Sequence, residues 1–281
     1  MMLLAAAALH AGWNLLLKQV EEKYIVSWWA ALFNLSLLPP ALLLWGPPAA
    51  HIWPYLLASG LTEAFYMAAL ASAYHLSDFS LVYPIARGAA PAFLTLWAIL
   101  FLGERLTPLG AVGLMLVIGG LMIVGVSGLL YHRSAAHSAA ISRLAIVLAL
   151  GVALLISIYS TIDGAAVKLT APTPYTLMAL SLSGVFFTPF ALQRGGWKRL
   201  ANVAHAHWRR ILAIGVIGLI TYTLVLNAYA IAQVSYSGAI REVSVVFAAL
   251  MGWKLLGEEM GRLRVIGATV IFCGILLIVM G

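Results

Sequence analysis

Two arginines, Arg87 and Arg241, stand inside long apolar stretches of the sequence, where a permanent charge is costly. An arginine stays ionised, and its planar fork of N–H donors matches the oxygens of a carboxylate, phosphate or phosphonate group. The pair therefore predicts a binding site for a small anionic or zwitterionic molecule. The alternative is that carboxylates of the chain neutralise both guanidinium groups, and Glu63, Asp163 and Glu242 are available for that.

Other polar side chains could complete such a site. Tyr83 lies one helical turn before Arg87, and Tyr159 lies one turn before Asp163, so each pair shares a helix face. Near the start of the chain, polar residues recur every four positions beside a tryptophan and form a stripe on one helix face. This stripe could line the binding site, or it could hydrogen-bond to neighbouring helices. The stripe comprises His10, Asn14 and Lys18. The predicted substrate-binding residues are Arg87, Arg241, Tyr83, Trp13, Asn14, Tyr159 and Asp163.

Carboxylates inside apolar stretches are candidates for carrying protons. A carboxylate held there without a cation favours its protonated form, whereas one paired with an arginine stays ionised and carries nothing. Both situations are open for Glu63, Asp163 and Glu242, so proton coupling at these residues is a hypothesis. Glu104 and Glu258 instead end apolar stretches, and we predict a structural role for them, in which each caps the helix that follows.

The sequence lacks the common motifs of catalysis and metal binding. It contains no HExxH, GxSxG or P-loop, and no GxGxxG followed by an acidic residue. The single cysteine, Cys273, lies in an apolar run, and the pair His205 and His207 is weak evidence for a metal. We therefore expect no enzyme activity, no cofactor, no metal and no ATP hydrolysis by the chain itself.

The elements that would position these residues are transmembrane helices. Of the 281 residues, 63% are hydrophobic and 9% are charged, and the mean hydropathy is +1.02. A soluble domain would need roughly a quarter of its residues charged, so lipid is the solvent for most of the chain. Apolar stretches of about 20 residues predict ten spans, with the longest connections near 129–142 and 194–207. The spans lie near 2–19, 25–45, 53–74, 80–102, 107–128, 143–163, 174–193, 208–232, 237–256 and 262–280.

The net charge of +7 comes from lysines and arginines that lie mostly between the spans. That placement fits anionic lipid and argues against nucleic acid as a partner. Most of these cations fall in alternate loops, while the opposite set of loops holds only Arg105 and Lys168. Because cation-rich loops face the cytoplasm, the count places both termini outside the cell.

The second half of the sequence repeats the first after a shift of 154 residues, the difference between 87 and 241. Five spans per copy is an odd number, so the second copy must enter the membrane in the opposite orientation. Inverted repeats of this kind are typical of secondary transporters, which bind substrate near the midplane between the copies. We expect the repeats to cover 1–129 and 142–281. The matching residues are Arg87 and Arg241, Gly103-Glu104 and Gly257-Glu258, and Gly113 and Gly267.

Three motifs carry a resemblance to a known family. They are the Gly-Glu that ends the fourth and ninth spans, "LHAGWNLLLK" in the first span and "SLVYPIARG" in the fourth. Together they resemble the EamA-type ten-helix branch of the drug/metabolite transporter superfamily, and most closely a subgroup associated with phosphonate utilisation. The resemblance implies an all-α integral membrane fold of ten transmembrane helices in an inverted 5+5 repeat. It also implies cytoplasmic termini, opposite to the charge count.

The residues and the resemblance together predict a secondary active transporter that moves a small polar, anionic or zwitterionic, metabolite by alternating access. One alternative is an exporter of cationic or neutral drugs or metabolites, with the arginines as internal counter-ions. Another is a structural or accessory membrane protein. The expected partners are a small-molecule substrate, the lipid bilayer and, as a candidate, protons, with the chain a monomer or weak homodimer. We expect a multi-pass protein of a bacterial inner membrane.

Overall fold

The structure is a computed structural model that describes residues 1–76, 79–135, 143–247, 250 and 262–281. For residues 18, 71–76, 79–85, 125–135, 143–145, 194 and 264 it describes the backbone alone. The described residues form ten α-helices of eight or more residues and no β-strand. The helices are α1 (Met2–Lys18), α2 (Lys23–Phe33), α3 (Leu38–Trp45), α4 (Trp53–Leu76), α5 (Phe79–Leu102), α6 (Pro108–Ala135), α7 (Arg143–Ala166), α8 (Pro172–Ile231), α9 (Val234–Arg241) and α10 (Arg262–Met280).

Several of these helices can cross a membrane. Four helical stretches in the described part of the chain are long and apolar enough to do so, and four shorter apolar helices accompany them. Large hydrophobic side chains such as Leu43, Phe101 and Met115 are exposed, as expected where the solvent is lipid. The chain is an integral, multi-pass membrane protein, and the predicted all-α class is confirmed. The four long stretches are Lys23–Trp45, Ile146–Ala166, Pro172–Gln193 and Gly195–Ile231.

The predicted second span, 25–45, is not one continuous α-helix. α2 ends at Phe33, a 3₁₀ turn covers Asn34–Leu37, and α3 begins at Leu38. Proline occupies the first turn of α3, where its missing N–H leaves no hydrogen bond unmade. Hydrophobicity alone could not show this restart, because all three pieces are apolar.

The predicted long connection at 194–207 is helical rather than an irregular loop, and the two breaks within α8 fall inside it. The backbone leaves the helical region only at Gly196, where φ is 63°, and at His207. The left-handed conformation at Gly196 is one that glycine adopts without steric cost. Between the two breaks, buried Leu200 packs beside α2 and accepts a 2.9 Å hydrogen bond at its carbonyl oxygen from Trp29 Nε1.

α6 and α10 pack against each other through glycines. A Cβ atom added to Gly113 would lie 2.6 Å from the carbonyl oxygen of Gly274, and one added to Gly274 would lie 2.6 Å from that of Gly113. Gly120 and Gly267 approach each other in the same reciprocal way, at 2.8 Å. The two helices therefore touch backbone to backbone, as small residues permit in membranes.

This packing has the symmetry of an inverted repeat. The shift of 154 residues carries Gly113 to Gly267 and Gly120 to Gly274, so exchanging the two halves turns one glycine contact into the other. Because the earlier glycine of α6 meets the later glycine of α10, the two helices run antiparallel. A two-fold axis in the membrane plane requires both features. The exact repeat bounds, 1–129 and 142–281, stay a prediction.

Gly120→Ala should destabilise the protein, whereas Gly119→Ala should not. A methyl group on Gly120 would meet the carbonyl oxygen of Gly267 at 2.8 Å and the backbone nitrogen of Ile271 at 2.9 Å, so α6 and α10 must move apart. Overpacking of this kind costs about 1–3 kcal/mol. Gly119 has nothing within 4 Å of its added Cβ, and alanine favours the helix by up to about 1 kcal/mol. Thermal unfolding of the purified variants in detergent measures both effects, and equal midpoints would contradict the close approach.

Candidate functional site

The helix that carries Arg241 is broken at that residue. α9 ends at Arg241, and the next two amides bond three residues back: Glu242 N–H to the carbonyl of Ala239 and Val243 N–H to that of Ile240, both at 3.1 Å. Helical structure resumes at 244–247. The predicted ninth span, 237–256, therefore begins with a break rather than a continuous helix. Discontinuous helices are typical of transporter binding sites, where the exposed helix ends contact the substrate.

Arg87 and Arg241 converge on one buried carboxylate. Arg87 Nη1 lies 3.1 Å from Glu242 Oε1, and Arg241 Nη2 lies 3.3 Å from the same oxygen. The side chains of Arg87 and Arg241 are 12% and 8% exposed, and that of Glu242 is fully buried. Arg87 and Arg241 occupy matching positions in the two repeats, yet both contact Glu242, which directly follows α9. We call these three residues the arginine–glutamate triad.

The triad carries one positive charge in excess, since two guanidinium groups face one carboxylate. His10 of α1 does not offset it. An arginine has no acceptor atom, so Arg87 Nη2 must donate its hydrogen bond to His10 Nε2, which leaves the imidazole neutral. The edge of the His10 ring contacts Trp13, with ring centroids 5.0 Å apart. His10 thus places α1 against the triad without adding charge.

A second polar group surrounds Asp163 on α7. The Tyr175 hydroxyl donates a 2.7 Å hydrogen bond to Asp163 Oδ1, and the Tyr222 hydroxyl donates to Oδ2. Tyr159 lies one turn before Asp163, and its ring packs against those of Tyr66 and Tyr222. The ring centroids are 5.8 Å and 6.4 Å apart, respectively. Asp163 is therefore held as an acceptor by two phenol groups from α8.

Tyr229 lies near the triad and Asp163, and its hydroxyl makes no hydrogen bond of normal geometry to the described residues, although the Ser160 hydroxyl neighbours it. It is close enough to Arg241, Glu242 and Asp163 to interact electrostatically with each. Several neighbouring buried oxygens also lack a partner among the described residues, and leaving such a group unpaired costs about 1–3 kcal/mol. Polar atoms gathered in this way suit a polar ligand. They are Glu242 Oε2, Ser160 Oγ and Ser244 Oγ, together with Tyr229 OH.

The other predicted residues are placed as follows. Asn14 donates a 2.7 Å hydrogen bond to the carbonyl of His10 in its own helix, which uses one of its two amide N–H groups. Glu63 is 9% exposed and lies within electrostatic reach of Asp163. Tyr83 lies on α5, but its side chain is outside the described part of the structure, as is the whole of Glu258.

Sequence reasoning missed Tyr175, although a signal for it exists. α7 ends at Ala166 and α8 begins at Pro172, so the two helices form a hairpin. Asp163 stands three residues before the turn and Tyr175 three residues after the start of α8. Residues placed symmetrically about a tight hairpin lie at the same depth in the bundle.

Glu104 caps a helix, but not the one we predicted. Gly103, with φ of 69°, ends α5 in the left-handed conformation that favours glycine. The Glu104 carboxylate then accepts hydrogen bonds from the N–H groups of Val234 and Ser235, at 2.5 and 3.1 Å, at the start of α9. The following helix, α6, is capped instead by Thr107, whose hydroxyl oxygen accepts from Gly110 N–H. The Gly103-Glu104 motif of the first half of the chain thus contacts α9 in the second half.

A cleft of about 800 Å³ opens beside this cap, lined by Glu104, Arg105 and Lys168 among others. Lys168 Nζ donates to the carbonyl oxygens of Ala230 and Ala232, where α8 ends. The two loop cations that the charge count assigned to the cation-poor side of the membrane therefore line one cleft. No group of three or more metal-ligating side chains occurs within the described residues.

Comparisons with known proteins point to one family for the second half of the chain. Residues 143–280 match the model of the EamA-like transporter family. Nothing supports the narrower resemblance to the phosphonate-utilisation subgroup.

A solved structure titled "Crystal structure of protein" superposes on this chain with a TM-score of 0.77 and 16% sequence identity. The superposition covers 98% of this chain and 94% of the other chain. At that identity the likeness shows the fold alone. It extends over both halves of the chain, beyond the residues that the family model matches. No curated protein matches the chain.

Removing the shared counter-ion should destabilise the protein more than removing a surface carboxylate. Glu242→Gln removes the charged partner that both buried guanidinium groups contact, and breaking a buried ion pair costs about 3–5 kcal/mol. Glu22→Gln is the matched control, because the Glu22–Arg199 pair is solvent-exposed and is worth about 1 kcal/mol or less. In detergent, the unfolding temperature of Glu242→Gln should be well below that of the control Glu22→Gln. The double variant Glu242→Gln/Arg241→Gln should recover part of the loss, and no recovery would contradict the charge pairing.

Proposed function

We propose that the protein is a secondary active transporter that moves a small zwitterionic or anionic metabolite by alternating access. The observation that carries the proposal is the excess positive charge of the arginine–glutamate triad, buried beside polar atoms that have no protein partner. Two guanidinium groups that face one carboxylate make this end of the site locally positive, which favours the anionic group of a substrate there. A guanidinium group suits carboxylate, phosphate and phosphonate oxygens equally well, so these are the anionic groups we propose.

The position of Asp163 favours a zwitterion over a simple anion. Asp163 is buried, accepts two phenol hydrogen bonds and has no cation within salt-bridge distance among the described residues. Tyr229 lies within electrostatic reach of both Asp163 and the triad, so the two charges are neighbours. A zwitterion could place its anionic group at the positively charged triad and its ammonium group near the negatively charged Asp163. It would then match both charges of the site.

The cleft that contains Arg105 and Lys168 supports a route for such a substrate. Ala165, which lines the cleft, is two residues from Asp163 on α7. Two cations at the entrance raise the local concentration of an anionic group. Glu104 joins α5 to the start of α9 at the same end of the bundle, so release of that cap is our proposed opening step. Because the fold is a helical bundle, we propose the bacterial inner membrane as its location.

One observation favours a second function, the export of cationic molecules. The buried carboxylates of Glu63 and Asp163 have no salt bridge in the described part of the chain, while the arginines already have Glu242. In that case the triad would be an internal ion pair and the two carboxylates would bind the substrate.

A thermal-shift panel distinguishes these functions. The purified protein is tested with small amino acids, phosphonates, carboxylates and cationic drugs, because a ligand that binds only the folded state stabilises it by about 2.7 kcal/mol at 100 times its Kd. We expect stabilisation by an amino acid or another anionic compound in the wild type. It should be lost in Arg241→Gln, which leaves the triad neutral, and kept in the control Arg209→Gln, which removes an exposed arginine.

Stabilisation by a cationic drug that persists in Arg241→Gln would overturn the proposed substrate class and support the second function. Stabilisation by no class of compound would contradict both.

A further inference from the structure

Three buried carboxylates and two arginines meet in this part of the bundle, and the carboxylates differ in their partners. Glu242 contacts both guanidinium groups. Asp163 accepts hydrogen bonds from Tyr175 and Tyr222. Glu63 has no ion pair and no phenol partner among the described residues; its buried Oε2 atom makes no hydrogen bond there, and its hydroxyl neighbour is Ser183.

The charges do not balance when all three carboxylates are ionised. Two positive and three negative groups leave one negative charge in excess, and His10 adds nothing because it accepts a hydrogen bond from Arg87. A net charge in the apolar interior of a membrane protein is costly, so the group with the poorest stabilisation takes up a proton. By its contacts that group is Glu63.

The surroundings of Glu63 offer acceptors rather than cations. From α7, Tyr159 and Asp163 face it, and from α8, Tyr175 and Tyr222 lie within electrostatic reach. The nearest charged group of α5, Arg87, pairs with Glu242 instead. Ser183 of α8 neighbours Glu63 and donates its own hydroxyl proton to the carbonyl of Leu180 at 3.0 Å. The lone pairs of the Ser183 oxygen are thus free to accept a hydrogen bond from the O–H group of a protonated Glu63.

We infer that Glu63 is the proton-binding site of the transport cycle, protonated in the closed conformation and deprotonated when the bundle opens to water. The step breaks the O–H bond of the Glu63 carboxyl group and passes the proton to water on the open side. Water on the opposite side returns it in the next half of the cycle, so a proton gradient supplies the driving force. This inference rests on the proposed transport function and adds its coupling ion. Asp163 and Glu242 stay ionised, with roles in binding and charge pairing.

Infrared spectroscopy of the ligand-free protein tests the inference directly. A protonated carboxyl group has a C=O band that the ionised group lacks. At neutral pH we expect one such band per chain in the wild type, its loss in Glu63→Gln, and its retention in the exposed control Glu22→Gln. Glu63→Asp keeps a carboxyl group and serves where Glu63→Gln does not fold; there the band should shift rather than vanish.

Absence of the band from the wild type at neutral pH would overturn the inference, as would a band that survives in Glu63→Gln. The measurement needs no transport substrate. A negative ligand panel therefore counts against the proposed function alone, and a negative infrared result counts against Glu63 alone.

Discussion

The rest of the structure depends on one constraint: charges inside a membrane must be compensated by groups that the fold itself brings together. Arg87 lies on α5 and Glu242 directly after α9, 155 residues apart in the chain, yet a 3.1 Å ion pair joins them. Because neither charge is tolerable alone in an apolar bundle, the pair fixes how the first half of the chain meets the second. The excess charge of the triad then gives the site its chemistry.

The helices around the triad divide into a rigid part and a part that can move. α6 and α10 touch backbone to backbone at two pairs of glycines, which leaves no room for them to slide without loss of packing. α9 is different, since it is eight residues long, is capped by Glu104 from the other half and ends at Arg241. A short helix that links a surface cap to a buried ion pair is suited to transmit opening of the bundle to the binding site.

Much of this arrangement was predictable from the sequence, and the reasons for the rest are physical. Arg87 and Arg241 stood out because charge in an apolar stretch is costly, and the 154-residue shift related them. A carboxylate partner for both arginines was one alternative, but the sequence could not single out Glu242 among three candidates, since hydropathy does not reveal that α9 ends at Arg241. The Glu104 cap was assigned to the wrong helix because sequence shows the next helix along the chain, whereas the partner here comes from the opposite repeat.

A structure of the protein with its bound ligand would test the central claim most directly. The account predicts that the anionic group of the ligand lies within hydrogen-bond distance, about 3 Å, of the guanidinium group of Arg87 or Arg241, close to Tyr229. A ligand whose anionic group lies elsewhere, with both arginines still in contact with Glu242, would contradict it.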